Sequence, residues 1–397
     1  MQQTHFNLDS KKGFYPYLSA QFLSALADNA LLFAAIALLA EMNAPTWHQP
    51  LLLQFFVLAY IVLAPFVGAF ADSRPKGQVM FMSNGIKLFG CLAMFFGMEP
   101  LYAYGIVGVG AATYSPAKYG ILTELLPREY LVAANGWVEG LTVAAIILGA
   151  IVGGLLAKFD VQMAILIIAV LYLLAAVFNR YIPTLPINHK IKSKNPWFLF
   201  KDFYFSFTKL ANDRLGQLSL AVTTLFWGAG ATLRLVIIAW AAYALNFQLD
   251  KATQLSAVVA FGVAIGSVIA ARYISMKNSV KVLPLGVLMG AFVCSMVFVS
   301  SWEYAALLLL FIGIFSGMLI VPLNALLQHR GHILIGSGHS IAAQNFSENL
   351  GILILSGAYT LMVKNDLPIN GIVFIFGLFV LMSMVIATIY YSQDNKY

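Results

Sequence analysis

Charge is what this sequence has least of. Only 10% of its 397 residues are Asp, Glu, Lys or Arg, against about 25% in soluble domains. So thin a charge supply cannot clothe a water-soluble surface of this size, and a soluble globular fold is excluded. Cysteine is nearly absent as well. Cys91 and Cys294 are the only two, and both sit inside apolar runs, which excludes a disulfide framework and argues against a thiolate metal site. The six histidines fall in loops or near the ends of apolar runs. They make no His-x-x-x-x-Asp acyltransferase pair and no His-Glu-x-x-His zinc motif, and no nucleophile elbow is present. Nor is there a glycine loop to cradle ATP. No catalytic residue, metal or cofactor is therefore expected, and an enzyme is disfavoured.

What is there is apolar. Hydrophobic residues make up 61% of the chain, in runs of about 20 residues, each long enough to cross roughly 30 Å of hydrocarbon as a helix. Helices satisfy their own backbone groups within one segment, whereas barrel strands would be shorter and would alternate. The expected class is an all-α membrane protein. Spans are predicted at 18–40, 51–71, 78–98, 101–122, 134–157, 162–182, 217–241, 253–274, 281–301, 304–327, 337–362 and 370–391. Residues 1–17, with Lys11 and Lys12, precede a first span too long for a signal peptide, so no cleavable signal is expected.

Twelve spans put both termini on one face. With that face cytoplasmic, the inner loops and tails hold 17 of the 23 Lys and Arg, and the outer loops hold only Lys158, Lys251 and Lys364. That asymmetry sets the orientation. It also explains the net charge of +7 without nucleic acid. A polar, lysine-rich stretch, 183–213, separates a 1–182 N-terminal six-helix bundle from a 214–397 C-terminal one. Within it, Trp197 to Leu210 is amphipathic and expected to lie along the inner membrane surface. The halves show weak similarity. Gly108–Leu122 (GVGAATYSPAKYGIL) parallels Gly313–Leu327 (GIFSGMLIVPLNALL), and Trp137–Leu141 (WVEGL) parallels Phe346–Leu350 (FSENL). Internal repeats of this kind typify secondary transporters, whose substrate site lies between the repeats.

Six ionisable residues fall inside spans: Asp28, Lys87, Lys118, Glu139, Arg234 and Glu348. Each costs about 2.5–3.5 kcal/mol at a helix centre on insertion scales, so none should face lipid. Two readings stay open. They are ion pairs that hold the bundle, or they line a polar path for a charged group. Asp28 and Arg234 occupy the counterpart spans one and seven, and Lys118 and Glu348 lie in or beside the repeat segments, which favours function. Lys87 and Glu139 fit pairing with a neighbour at least as well. The loop Gly68-Ala-Phe-Ala-Asp72-Ser-Arg74-Pro-Lys76-Gly77 resembles the signature loop of the major facilitator superfamily. There Gly68 would let helices approach, and Asp72 would cap a neighbouring helix or pair with a basic residue. Asp72, Arg74 and Glu139 are the candidate gating residues. Gly149, Gly153 and Gly154 are read as a hinge or as plain close packing.

Longer blocks carry a more specific resemblance. Phe22–Phe33 (FLSALADNALLF), Tyr114–Gly120 (YSPAKYG), Leu225–Arg234 (LFWGAGATLR), Val321–Gln328 (VPLNALLQ) and Gln344–Asn349 (QNFSEN) resemble bacterial lysophospholipid transporters, a branch of the major facilitator superfamily. The basic linker matches that family less well. The resemblance implies transport of lysophosphatidylethanolamine, lysophosphatidylglycerol and lyso-cardiolipin from the outer to the inner leaflet of a bacterial inner membrane. It implies an inner-leaflet acyltransferase as functional partner. It also implies substrate-binding roles for Asp28, Lys118, Arg234 and Glu348. The chemistry fits, since arginine and lysine suit phosphate and a carboxylate suits ammonium. A proton-coupled carrier of a small solute, with Asp28 and Glu348 as proton carriers, is the alternative.

Overall fold

Every long apolar run folds as an α-helix, because in hydrocarbon only intrahelical bonds satisfy the backbone. A computed structural model describes residues 13–45, 48–185, 195–247 and 249–392. In chain order the helices are α1 (Phe14–Glu41), α2 (His48–Asp72), α3 (Lys76–Phe95), α4 (Pro100–Leu125), α5 (Leu131–Phe159), α6 (Val161–Asn179), α7 (Pro196–Asn212), α8 (Arg214–Ala244), α9 (Leu249–Tyr273), α10 (Leu283–Ser295), α11 (Trp302–Leu334), α12 (Ser337–Lys364) and α13 (Ile369–Ser392). Among the described residues there is no strand. Ten of these helices are long and apolar enough to cross a bilayer. The polar-ended α4 and the short α10, which runs on through a 3-10 turn to Phe298, occupy the other two predicted spans. The thirteenth, α7, is the amphipathic segment.

Local signals set the ends. Asp160 and Asp213 cap α6 and α8 by accepting the amides of Met163 at 2.8 Å and Gly216 at 2.9 Å, the preferred N-cap chemistry. Asn195 accepts the amide of Trp197 at 3.0 Å, ahead of Pro196 at the first position of α7. Several helices outrun their predicted spans. For example, α11 continues seven residues past Leu327 to Leu334. Hydropathy marks only the part of a helix that lies in hydrocarbon, and the backbone ladder does not stop there. Outward faces carry bare aliphatic side chains, such as Leu166, Val170, Leu173 and Val177 on α6, as a lipid solvent allows.

The chain forms two compact units. The first comprises residues 1–127, 144–210 and 328–346. Its apolar core joins the alanines of α1 (Ala27, Ala30, Ala34) to Met94 of α3, Tyr104 of α4 and Ile165, Ile168 and Tyr172 of α6. Gly149 and Gly153 of α5 press on α1. A Cβ on Gly149 would stand 2.7 Å from that of Asn29, and one on Gly153 would strike the backbone of Ala30. They are close-packing glycines, as small residues are in membrane seams.

The second unit comprises residues 128–143, 211–327 and 347–397. Its core gathers Trp240 of α8, Met289 of α10, Leu309 of α11 and Phe376 and Met384 of α13. Helices α9 and α11 meet through two glycine pairs, Gly262 with Gly266 and Gly313 with Gly317. A Cβ on any of the four would collide with a backbone carbonyl of the facing helix, of Leu310, Ile314, Val259 and Val263 respectively. This is a small-xxx-small seam from both sides, and its α11 half lies inside one of the repeat segments.

Candidate functional site

Within the first unit, charge is concentrated where α1, α3 and α6 meet. Ser24 and Asp28 are four apart on α1, and Asn84 and Lys87 three apart on α3, so each pair shares a helix face. Lys87 is almost fully buried, and its Nζ donates to Asp28 Oδ2 at 2.7 Å and to Ser24 Oγ at 3.0 Å. Ser24 Oγ donates in turn to Asn84 Oδ1 at 2.7 Å. Tyr172 of α6 donates to the other Asp28 oxygen at 2.8 Å, and the lysine stands 4.8 Å from the ring centre of Tyr114. The pair is unequal. The Asp28 side chain keeps 19% of its surface open, against 2% for Lys87. The lysine is thus the fixed partner, and the carboxylate is the group a ligand can reach.

The other candidates lie apart along the chain. Lys118 of α4 is buried in the first unit, with Nζ 3.4 Å from its neighbour Tyr119 Oη and 4.6 Å from that ring's centre. Asn345 donates to Ser115 on the same helix as Lys118 at 2.8 Å. In the second unit Glu348 and Glu139 are buried, and Asn324 donates to Glu139 Oε1 at 3.3 Å. Arg234 is the exception. It is exposed on α8 and makes no ion pair with a described residue. On the same unit an open apolar groove of about 330 Å³ runs along α8, α12 and α13, lined by Ala221, Leu225, Gly351, Ile354, Leu355 and Ala387.

The loop after α2 builds a second cluster, again inside the first unit. Asp72 Oδ1 accepts from Lys76 Nζ at 2.8 Å and from the Gly338 amide at 2.7 Å. Asp72 Oδ2 accepts from the His339 amide at 3.0 Å and faces His339 Nδ1 at 2.7 Å. Asp72 therefore caps the N-terminus of α12 and also holds a basic partner, the two roles the sequence offered it. The partner is Lys76, which also reaches Glu124 at 3.3 Å. Arg74 stays outside: exposed, 4.9 Å over the Phe70 ring and 3.6 Å from Met82 Sδ. Gly68 and Gly338 make the approach possible. A Cβ on Gly68 would lie 2.9 Å from His339 Cα, and one on Gly338 would lie 2.7 Å from Asp72 Oδ1.

His339 reaches further. Its Nε2 faces Asp202 Oδ2 of α7 at 3.1 Å. A ring flanked by carboxylate oxygens on both nitrogens has only acceptors to meet, and the doubly protonated form satisfies both. Sequence reasoning did not single out Lys76, Glu124, His339 and Asp202 as members of this cluster, whereas Lys87 pairs with a carboxylate of a neighbouring helix, one of the two roles read for it. The available signals were the small Ser337-Gly338 pair opening α12, and one acid on an otherwise aromatic and basic α7.

Buried charges spread over membrane-crossing helices, with a capped signature loop, are features of a membrane transporter. Solved structures share the fold. The chain aligns with the major facilitator transporter FucP in its outward conformation at TM-score 0.77 and 15% identity, covering 95% of this chain and 98% of that one. It aligns with a bacterial homologue of the iron transporter ferroportin at 0.74 and 18%, covering 96% and 99%. The family model described as Major Facilitator Superfamily matches residues 17–356. Lysophospholipid transporter LplT of Yersinia enterocolitica is 46% identical over 360 residues, 90% of this chain and 89% of that protein, and its Yersinia pestis (strain Pestoides F) counterpart is 46% identical over 357. The chain belongs to the bacterial lysophospholipid transporter family of the major facilitator superfamily. Its work is transport, not catalysis.

Proposed function

We propose that this protein moves lysophosphatidylethanolamine, lysophosphatidylglycerol and lyso-cardiolipin from the outer to the inner leaflet of a bacterial inner membrane, by alternating access with sideways loading of the lipid. An inner-leaflet acyltransferase then consumes them, and both termini are cytoplasmic. One observation carries the reading. Asp28 is held at membrane depth by a buried lysine yet keeps an accessible edge, an arrangement a purely structural pair does not need.

In this reading Asp28 takes the ammonium of an ethanolamine headgroup, exchanging part of its bond to Lys87. Arg234, exposed and without an ion-pair partner among the described residues, takes the phosphate, where a guanidinium fork can bind two oxygens. Lys118 supports the phosphate, and Glu348 stands as a second anion. The tail stays in oil, and the apolar groove beside Gly351 is shaped for an acyl chain. The Asp72–Lys76–Glu124 and Asp72–His339 contacts latch the first turn of α12 and release as the transporter turns inward. Glu139 with Asn324 is a second gating contact.

The test is reconstitution in proteoliposomes with labelled lysolipids and leaflet-resolved detection, with and without ion gradients. Flipping of lysolipids, with Asp28→Asn hurting the ethanolamine substrate more than the glycerol one, supports the assignment. Uptake that follows an imposed pH gradient and ignores lysolipids would instead establish a proton-coupled carrier of a small solute.

A further inference from the structure

Helix α7 is amphipathic in an unusual way, because both of its faces are aromatic. Its inner face buries Phe203, Ser206 and Leu210. Phe203 and Phe207 set their rings edge-on to Phe346 of α12, at 5.6 and 6.1 Å. Its outer face presents Trp197, Phe200, Tyr204 and Phe205, of which Trp197 is 64% and Tyr204 68% exposed. Lys201 and Lys209 stand exposed among them, with Lys201 Nζ 5.5 Å over the Trp197 ring. Water would be met by a polar face, and lipid tails by an uncharged aliphatic one. Aromatic rings interleaved with lysine suit the headgroup layer, which is apolar on one side and wet on the other.

The sign of the layer follows from the charge. Between Arg180 and Lys201 the sequence holds Lys190, Lys192 and Lys194 and no acidic residue. Such a basic run beside an amphipathic helix is attracted to anionic lipid. The acid on α7, Asp202, lies on its inner flank, where it faces His339 Nε2 at 3.1 Å. Lys209 Nζ also donates to the last carbonyl of α11, that of Leu334, at 2.8 Å. The Lys209 contact is exposed, and the Asp202 side of the other pair is open to solvent (37%) although His339 is largely covered; contacts with an exposed partner hold little by themselves. A bilayer gripping the outer face would keep the helix in place and strengthen them.

We propose that the outer face of α7 is a docking surface for anionic phospholipid headgroups of the leaflet beside it, and that the docked helix steadies the first turn of α12 through Asp202 and His339. Anionic lipid would thereby reinforce the Asp72 cap without entering the transport path. This inference stands whether or not the substrate assignment does.

The experiment uses the full chain in nanodiscs of phosphatidylcholine alone or mixed with phosphatidylglycerol. In a Cys91→Ser, Cys294→Ser background, Tyr204→Cys carries an environment-sensitive fluorophore. Hydrogen exchange over residues 337–346 reports the amides that Asp72 accepts. Phosphatidylglycerol should blue-shift the probe and slow that exchange several-fold. Asp202→Asn should keep the shift and lose the slowing, and Lys190, Lys192 and Lys194 changed together to Gln should weaken both. A probe equally placed in both lipids, or equal slowing in Asp202→Asn, overturns the proposal. So does shielding of position 204 that tracks protein density instead of lipid charge, which would mark a second copy as the occupant.

Discussion

Replacing Asp28 by alanine does two things at once, and the structure lets them be separated. The substitution removes a candidate ligand for the substrate ammonium. It also leaves Lys87, almost wholly buried, with Ser24 Oγ as its remaining hydrogen-bond acceptor among the described residues, at 3.0 Å. Breaking a buried ion pair from one side costs about 3–5 kcal/mol, because the surviving charge is stranded. That is a large share of a typical stability of about 5–15 kcal/mol, so Asp28→Ala should lower folded yield as well as transport. Asp28→Asn combined with Lys87→Met removes both charges at similar volume. The pair's net worth is small next to the cost of stranding one member, so the double variant should regain most of the loss. The assay is a double-mutant cycle on thermal unfolding in detergent, run beside lysolipid flipping in proteoliposomes. A double variant that is stable but inactive places Asp28 in substrate recognition. Near-normal flipping by the double variant would refute the reasoning and make Asp28 only the counter-ion of Lys87. If Asp28→Ala proved as stable as wild type, the burial argument itself would fail.

Arg234→Ala should leave thermal stability unchanged, since the side chain is exposed and lacks an ion-pair partner among the described residues. Loss of a charged hydrogen bond worth about 1.5–3 kcal/mol should cut flipping about 10- to 100-fold, with Arg234→Lys recovering only part of it. Gly338→Ala would bring a methyl to 2.7 Å from Asp72 Oδ1, so hydrogen exchange at the start of α12 should accelerate; unchanged protection would show that the cap can relax around a side chain. Gly266→Leu would drive a side chain into the Ile314 backbone, overpacking of a kind that costs about 1–3 kcal/mol or more. A monodisperse peak at wild-type yield on size exclusion would show that the α9–α11 seam is looser than it looks.

The fold was legible because hydrocarbon is a strict solvent. Where the backbone can be satisfied in one way only, apolar length converts directly into helix, and the predicted spans find their helices at 18–40 and 134–157 much as at 370–391. The site was legible in part. Charges such as Asp28 and Glu348 announce themselves by their cost in an apolar run, and Asp72 by its glycine-and-lysine loop. Partners are another matter. Lys87 meets Asp28 across 59 positions of sequence, His339 meets Asp72 across 267, and Asp202 meets His339 across 137. No local pattern encodes those separations. Lys76 lost out to Arg74 in the reading because both are basic and near Asp72. The turn between the helices chose between them: Arg74 falls within it and lies over the Phe70 ring, whereas Lys76, the first residue of α3, comes back onto Asp72 at 2.8 Å.

The same contrast explains why the two acids on the α1 and α2 side behave so differently. Asp72 has its oxygens filled by two backbone amides, a lysine and an imidazole, and its side chain is only 4% exposed. A carboxylate so fully engaged has no free acceptor left for a ligand; it can only hold or let go. Asp28 has one lysine and one tyrosine, two partners for about four lone-pair positions, and an open edge. Capacity left over is what a binding residue needs and a latch must not have. Counting unfilled acceptor positions at each buried acid therefore offers a way to sort ligand from latch that depth in the membrane alone does not.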